Sequence, residues 1–203
     1  MKLYYSPAAC SLSPHIVARE AGIEVALEKV DTKTKTTETG RDYWQINPKG
    51  YVPALELDNG EVLTEGPAIV QYLADRKPEA GLAPANGTLE RARLQETLGY
   101  INSELHKTYT PLFKPDTLPE VRTERENYLR MRYGMFEKTL TKQPYLLGDT
   151  FTAADAYLYT VTKWADAVKL DLSGFPALVA FQERVAARPA VQAARAAEGL
   201  SAK

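Results

Sequence analysis

The chemistry open to this chain centres on its one cysteine, Cys10, within Ser6-Pro7-Ala8-Ala9-Cys10-Ser11-Leu12-Ser13-Pro14-His15. The run before it, Leu3-Tyr4-Tyr5, favours a strand, and Ile16 to Ala21 favours a helix that Gly22 stops. Cys10 therefore falls where a strand turns into a helix. Ser11 is the natural N-cap, its hydroxyl accepting a free N–H of the first turn. Pro14 lies in that turn, where a missing N–H costs nothing. A thiol at a helix N-terminus sits in the partial positive charge of unpaired N–H groups, which favours thiolate, the form that attacks electrophiles and disulfides. An inert buried thiol fits the same position. One cysteine excludes an internal disulfide and a paired redox motif, so redox chemistry at Cys10 needs a second thiol from another molecule.

A second polar group lies far along the chain. Gly99, Asn102, Ser103 and His106 share one face of a long predicted helix, while Glu104 and Lys107 point elsewhere on the wheel. This stripe reads as a site or as a solvent-facing edge. The two histidines, His15 and His106, read as catalytic groups or as core residues with one hydrogen bond each; helical spacing from Ser11 lets His15 brace the first turn. Lys35, in a polar loop over residues 32–40, reads as an ammonium for an anionic ligand or as a solvated lysine. Glu65-Gly66-Pro67 opens a helix whose N-terminus offers backbone donors to a carboxylate or phosphate.

The bulk numbers limit the partners. The 203 residues are 44% hydrophobic and 25% charged, with a formal net charge of -1. Those are globular values, with no basic block for nucleic acid, no apolar run long enough to span a membrane and no apolar core of a signal peptide at the start. A reducing cytoplasm is the expected location. One cysteine and two histidines without ligand spacing predict no metal site.

The elements that must position these residues begin with strand, helix, strand over residues 1–30. A surface loop follows, then a short helix at Asp42 to Ile46 and the breaker Asn47-Pro48-Lys49-Gly50. Pro53 leads a strand through Leu57, Asp58-Asn59-Gly60 turns it, and Glu61 to Leu63 returns. This order predicts an α/β thioredoxin-like domain, βαβ-α-ββα, over residues 1–79. A Pro/Gly-rich linker follows at 80–87, then an all-α domain over 88–203. One long helix is expected from Thr88 to about Thr108, another from Val121 to Leu140. A capping box, Thr152 to Asp155, opens an apolar helix.

The whole chain resembles the beta-class bacterial glutathione transferases. The resemblance is carried by Met1 to His15, by Asn47 to Leu55 with Val52-Pro53-Ala54-Leu55, by Leu63-Thr64-Glu65-Gly66 and Ile69 to Asp75, by Ser103-Glu104-Leu105-His106-Lys107, and by Tyr145 to Asp149 followed by Thr152 to Asp155. It implies a homodimer that binds glutathione as co-substrate. In that family the backbone at Val52 pairs with the cysteinyl part of glutathione, before a cis-proline. Glu65 and Gly66 hold the γ-glutamyl end, and Lys35 reaches the glycyl carboxylate. Gly99, Ser103 and Glu104 reach the pocket, partly across the dimer, and Cys10 and His106 approach the glutathione sulfur. Two positions depart from the pattern. Gly66 is often serine, which loses a hydroxyl contact. Gly99 is often asparagine, a contact that is lost or passes to Asn102.

The activity implied is conjugation of the glutathione thiolate to small hydrophobic electrophiles, a detoxification reaction. Cys10 would hold a mixed disulfide with glutathione or help poise its thiol, and His106 would donate a hydrogen bond to sulfur. Tyr109, Phe113 and Trp164 are candidate walls of the electrophile pocket, each of which also fits a core position. Two alternatives stand beside this: a glutaredoxin-like thiol-disulfide oxidoreductase or reductive dehalogenase, and a non-catalytic ligand-binding protein.

Overall fold

The computed structural model describes residues 1–200. The chain divides into two compact units, one of Met1–Ala83 with residues 187–200, the other Pro84–Ala186. The break lies inside the Pro/Gly-rich stretch read as a linker. The expected membership differs at the far end, since residues 187–200 join the first unit and not the helical one.

The first unit is built on a five-stranded mixed sheet in the order β3-β2-β1-β4-β5. These strands are β1 (Lys2–Tyr5), β2 (Ala26–Asp31), β3 (Thr36–Thr37), β4 (Ala54–Glu56) and β5 (Val62–Thr64). β1 runs parallel to β2, as the crossover through α1 (Leu12–Glu20) requires, and antiparallel to β4. The β4–β5 hairpin closes with Leu55 opposite Leu63. β3 lies within the stretch expected to be irregular loop, pairing its two residues with Val30 and Asp31. The expected short helix is one 3-10 turn, Tyr43–Gln45, capped by the Asp42 side chain. Val52-Pro53 is cis, and β4 begins at the next residue.

Leu3, Tyr4, Ile16, Val17, Leu55, Ile69, Val70 and Leu73 have no exposed surface, and they fix α1 and α2 (Gly66–Asp75) to the sheet. The last helix, α9 (Pro189–Ala197), packs against α1. Its Val191 and Ala194 are fully buried, and Arg188 forks onto both Glu20 carboxylate oxygens at 2.5 and 2.8 Å. No local pattern predicts this docking, because an amphipathic helix names its apolar face but not its partner.

In the helical unit, α3 (Leu89–Tyr100) is capped by Thr88, whose hydroxyl accepts from Arg91 N–H at 3.1 Å. The long helix does not continue as α-helix to Thr108. Ile101–His106 winds as a π-helix, followed by α4 (Lys107–Tyr109) and a 3-10 turn, Thr110–Phe113. π segments are rare and cluster at functional sites. α5 (Pro119–Leu140) follows, then α6 (Ala153–Thr162), α7 (Trp164–Val168) and α8 (Pro176–Ala186). Every residue of α6 is buried, so it is the unit's central helix. The capping box forms as expected. The Thr152 N–H and hydroxyl both donate to Asp155 Oδ2 at 2.8 Å, and Asp155 Oδ1 accepts from Leu146 N–H at 2.8 Å. Burial pushes the Asp155 carboxyl up to about 6 against these bonds.

Candidate active site

In the first unit, the turn between β1 and α1 carries Cys10. Its thiol donates to the Val52 carbonyl at 3.1 Å, so two residues 42 positions apart in sequence meet beside the cis-proline. The N–H groups of Cys10 and Ser11 act on the sulfur in the thiolate's favour, but burial outweighs them and pushes the thiol up to about 12. The expected thiolate is therefore not the resting form. Ser11 does not cap α1 either. Its hydroxyl donates to Ser6 O at 3.2 Å and accepts from Ser6 N–H at 3.1 Å, closing the turn on itself. The first N–H groups of the helix bond to carbonyls instead, Leu12 to Ala9 and Ser13 to Cys10.

The same turn is clamped from the end of α9. His15, fully buried, donates from Nδ1 to Glu198 Oε1 at 3.0 Å, and Glu198 Oε2 accepts from Ala8 N–H at 3.2 Å. Ala8 has φ +60°, a conformation unusual for alanine that this bond helps to hold. His15 thus braces the turn through Glu198, 183 residues away, and not through Ser11.

Two other candidates of this unit sit on strained backbone. Lys35 has φ +58° and Glu65 φ +70°. Non-glycine residues adopt such angles where the surroundings impose them, often at functional sites. Lys35 Nζ donates to Gly50 O at 2.7 Å and lies 5.5 Å from the Trp44 ring centroid and 5.7 Å from that of Tyr51. Glu65 is exposed at the start of α2, its carboxylate accepting from Lys49 Nζ at 2.8 Å. A Cβ added to Gly66 would meet nothing within 4 Å.

In the helical unit, the π segment gathers the expected stripe unevenly. His106 Nδ1 lies 2.6 Å from the Tyr157 hydroxyl, which donates to Asn102 Oδ1 at 2.9 Å. Asn102 is thus engaged by Tyr157. A Cβ on Gly99 would likewise meet open space, so nothing fills the place of the family's asparagine. Ser103 is exposed and donates to Glu104 Oε1 at 3.2 Å. Glu104 is paired with Arg132 Nη2 at 2.8 Å and accepts from the Tyr128 hydroxyl. That hydroxyl first, then the Arg132 guanidinium, holds the Glu104 carboxyl below its usual range.

The three candidate wall residues do form one ring cluster. Trp164 meets His106 edge-on at 4.8 Å between centroids, Tyr109 at 5.7 Å and Phe113 at 5.7 Å. Their exposures separate them. Phe113 is 50% exposed and can present a ring to a ligand. Tyr109 has no exposed surface, and its hydroxyl bonds that of Tyr133 at 2.9 Å, so it backs the cluster as core. Tyr157, Glu198, Arg132 and Lys49 were not singled out by the sequence. Only the apolar pattern of the buried helix α6 touches Tyr157, and no short-range signal marks the other three.

Two family models match this chain: glutathione S-transferase, N-terminal domain, over residues 8–76, and glutathione S-transferase, C-terminal domain, over residues 100–189. Glutathione S-transferase GstA of Escherichia coli O157:H7 is 48% identical over 200 residues, covering 98% of this chain and 100% of that one. The chain belongs to the glutathione S-transferase family. Two solved structures extend the likeness. A sphingomonad glutathione S-transferase complexed with glutathione is 45% identical with a TM-score of 0.95, covering 99% of this chain and 100% of that one. The bacterial beta class glutathione S-transferase of Sphingomonas chungbukensis is 46% identical, also with a TM-score of 0.95 and the same coverage. As the resemblance implied, this is a glutathione transferase of the beta class with the thioredoxin-like N-terminal fold.

Proposed function

We propose that this transferase conjugates the glutathione thiolate to small hydrophobic electrophiles, working as a cytoplasmic homodimer in detoxification. The observation that carries the reading is the 3.1 Å bond from Cys10 Sγ to the Val52 carbonyl beside cis-Pro53. A peptide paired with the Val52 backbone would bring its cysteinyl sulfur close to Cys10. Glu65 and the N–H of Gly66, at the start of α2, serve the γ-glutamyl end, and Lys35 the glycyl carboxylate. In the helical unit, Gly99, Ser103, Glu104 and His106 are the remaining candidate glutathione residues, as the family resemblance implies. Phe113, with Trp164 behind it, serves the electrophile.

The state of Cys10 separates this reading from its rivals. A thiol held near 12 is protonated at neutral pH, so the attacking sulfur in conjugation is the peptide's. Cys10 still exchanges with oxidised glutathione through its small thiolate fraction. Its sulfur bonds one glutathione sulfur, the disulfide breaks, and the other leaves as glutathione thiolate. A glutaredoxin-like enzyme or a reductive dehalogenase needs Cys10 for every turnover, and a non-catalytic binder turns nothing over.

The test is Cys10→Ala. Conjugation of an aryl halide within about tenfold of the unmodified rate is expected, a factor worth about 1.4 kcal/mol. Intact mass after oxidised glutathione should show an adduct on the unmodified protein and none on the variant. Conjugation abolished while calorimetry still shows glutathione binding would sink the transfer mechanism in favour of Cys10 chemistry. Sedimentation at micromolar concentration tests the dimer.

A further inference from the structure

Within the first unit, the surroundings of Lys35 are built on a position that only glycine fits. Gly50 is buried with φ +67°, and a Cβ there would stand 2.5 and 2.6 Å from Cζ3 and Cη2 of Trp44, inside van der Waals contact. Among the described residues, a Cβ on any other glycine would meet nothing nearer than 3.9 Å. The indole therefore lies against the bare Cα of Gly50. Lys35 stands beside both. Its Nζ donates to Gly50 O at 2.7 Å and lies 5.5 Å from the Trp44 ring centroid and 5.7 Å from that of Tyr51, within reach of cation–π attraction to each. An ammonium has three donors, so the bond to Gly50 leaves two for a carboxylate. The backbone under this group is tied as well. Lys35, at φ +58°, donates its N–H to Asp31 O at 2.9 Å, and its carbonyl accepts from Tyr43 N–H at 2.8 Å. The fully buried Tyr43 also donates its hydroxyl to Tyr51 O at 2.8 Å, so one anchored residue fixes both Lys35 and Tyr51.

We propose that Gly50 and Trp44 are positioning residues that act through Lys35 and make this transferase select a free glycyl carboxylate. The proposal rests on the reading above in which Lys35 serves that carboxylate. A lysine on a free stem discriminates poorly, because its ammonium follows solvent and a ligand that fixes it must offset the lost rotamer freedom. Here one carbonyl and two rings fix the ammonium beforehand, so an incoming carboxylate finds it in place. The indole stands where it does only because residue 50 has no side chain, and the left-handed backbone there presents the carbonyl that Nζ holds. A peptide whose glycyl end is esterified or amidated brings no anion to the two remaining donors.

Calorimetry of the full chain with glutathione and with its glycyl ethyl monoester tests this. The unmodified protein should bind glutathione about tenfold tighter than the ester, the scale of one charge-assisted hydrogen bond. Trp44→Ala removes the ring without crowding Gly50. It should cut that ratio to roughly threefold through weaker glutathione binding, with ester binding within about twofold of the unmodified protein. Trp44→Phe, which keeps a ring for the ammonium, should restore most of the ratio. Gly50→Ala should lower the ratio as Trp44→Ala does; where that variant fails to fold, Trp44→Ala decides. Lys35→Met removes the ammonium and should bring the ratio to about one, and adding Trp44→Ala to it should change the ratio no further. A merely structural role for Trp44 would weaken both ligands alike. A ratio unchanged in Trp44→Ala but lost in Lys35→Met therefore overturns the positioning role and leaves the Lys35 assignment standing. A ratio of about one in unmodified protein that binds glutathione overturns both the selection and that assignment. Absence of heat with either ligand overturns the transferase reading and the proposal with it.

Discussion

Cys10 receives two backbone N–H groups, its own and that of Ser11, and both favour thiolate. Desolvation opposes them and is the larger effect, because an anion loses more on leaving water than two neutral donors restore. Alkylation of Cys10 by iodoacetamide should therefore be slow at pH 7 and rise about tenfold per pH unit to beyond pH 10 without a plateau, since rate follows the thiolate fraction. A plateau near pH 7, read by intact mass, would show a poised thiolate. Gly66 allows a second test. Open space surrounds its missing side chain, so Gly66→Ser introduces a hydroxyl at the start of α2 without displacing anything. One added hydrogen bond is worth about 0.5–1.5 kcal/mol, so glutathione should bind roughly three- to tenfold tighter by calorimetry. The sequence exposed Cys10 and Gly66 because both stand inside short motifs. It misjudged Ser11 because a serine before a helix has rival partners, and here Ser6 supplies them five residues back.

Elements were legible where the signal was local. The Asp58-Asn59-Gly60 turn, the proline-led β4 and the Thr152–Asp155 capping box are each written in a few consecutive residues. The π-helical winding was not, since the apolar spacing of Leu94, Leu98, Ile101 and Leu105 suits an α-helix equally well. Asp155→Ala removes the acceptor of two buried backbone N–H groups, Thr152 and Leu146, and should cost about 2–4 kcal/mol in urea unfolding. The pH dependence has a definite sign. The folded carboxyl is raised to about 6 from an ordinary 3.8, so between these values the folded state holds a proton that the unfolded state has lost. The contribution of Asp155 is fully present below about pH 4, declines as pH rises to about 6, and is flat above. The stability of the unmodified protein relative to Asp155→Asn should fall across that window and nowhere else.

At the scale of the molecule, sequence order and unit membership part company at residue 187. The first unit needs α9, whose Val191 and Ala194 lie buried and whose following residue Glu198 bonds both His15 and Ala8. A composition-based boundary could not find this, because the alanine-rich α9 looks like its helical neighbours. Glu198→Ala removes the carboxylate to which the fully buried His15 ring and the Ala8 N–H donate and should cost about 1–3 kcal/mol, lowering Tm by several degrees. Cys10 alkylation should quicken in that variant as its turn loosens; an unchanged rate would mean that the clamp holds only α9.

The return of α9 also bears on how the chain matures at the ribosome. The segment that completes the thiol-bearing turn is translated only after the entire helical unit, an interval of about 5–20 s at ordinary elongation rates. Throughout that interval the nascent β1–α1 turn lacks the Glu198 carboxylate that bonds Ala8 and His15. Newly made chains should therefore show a thiol that is transiently more reactive than in finished molecules.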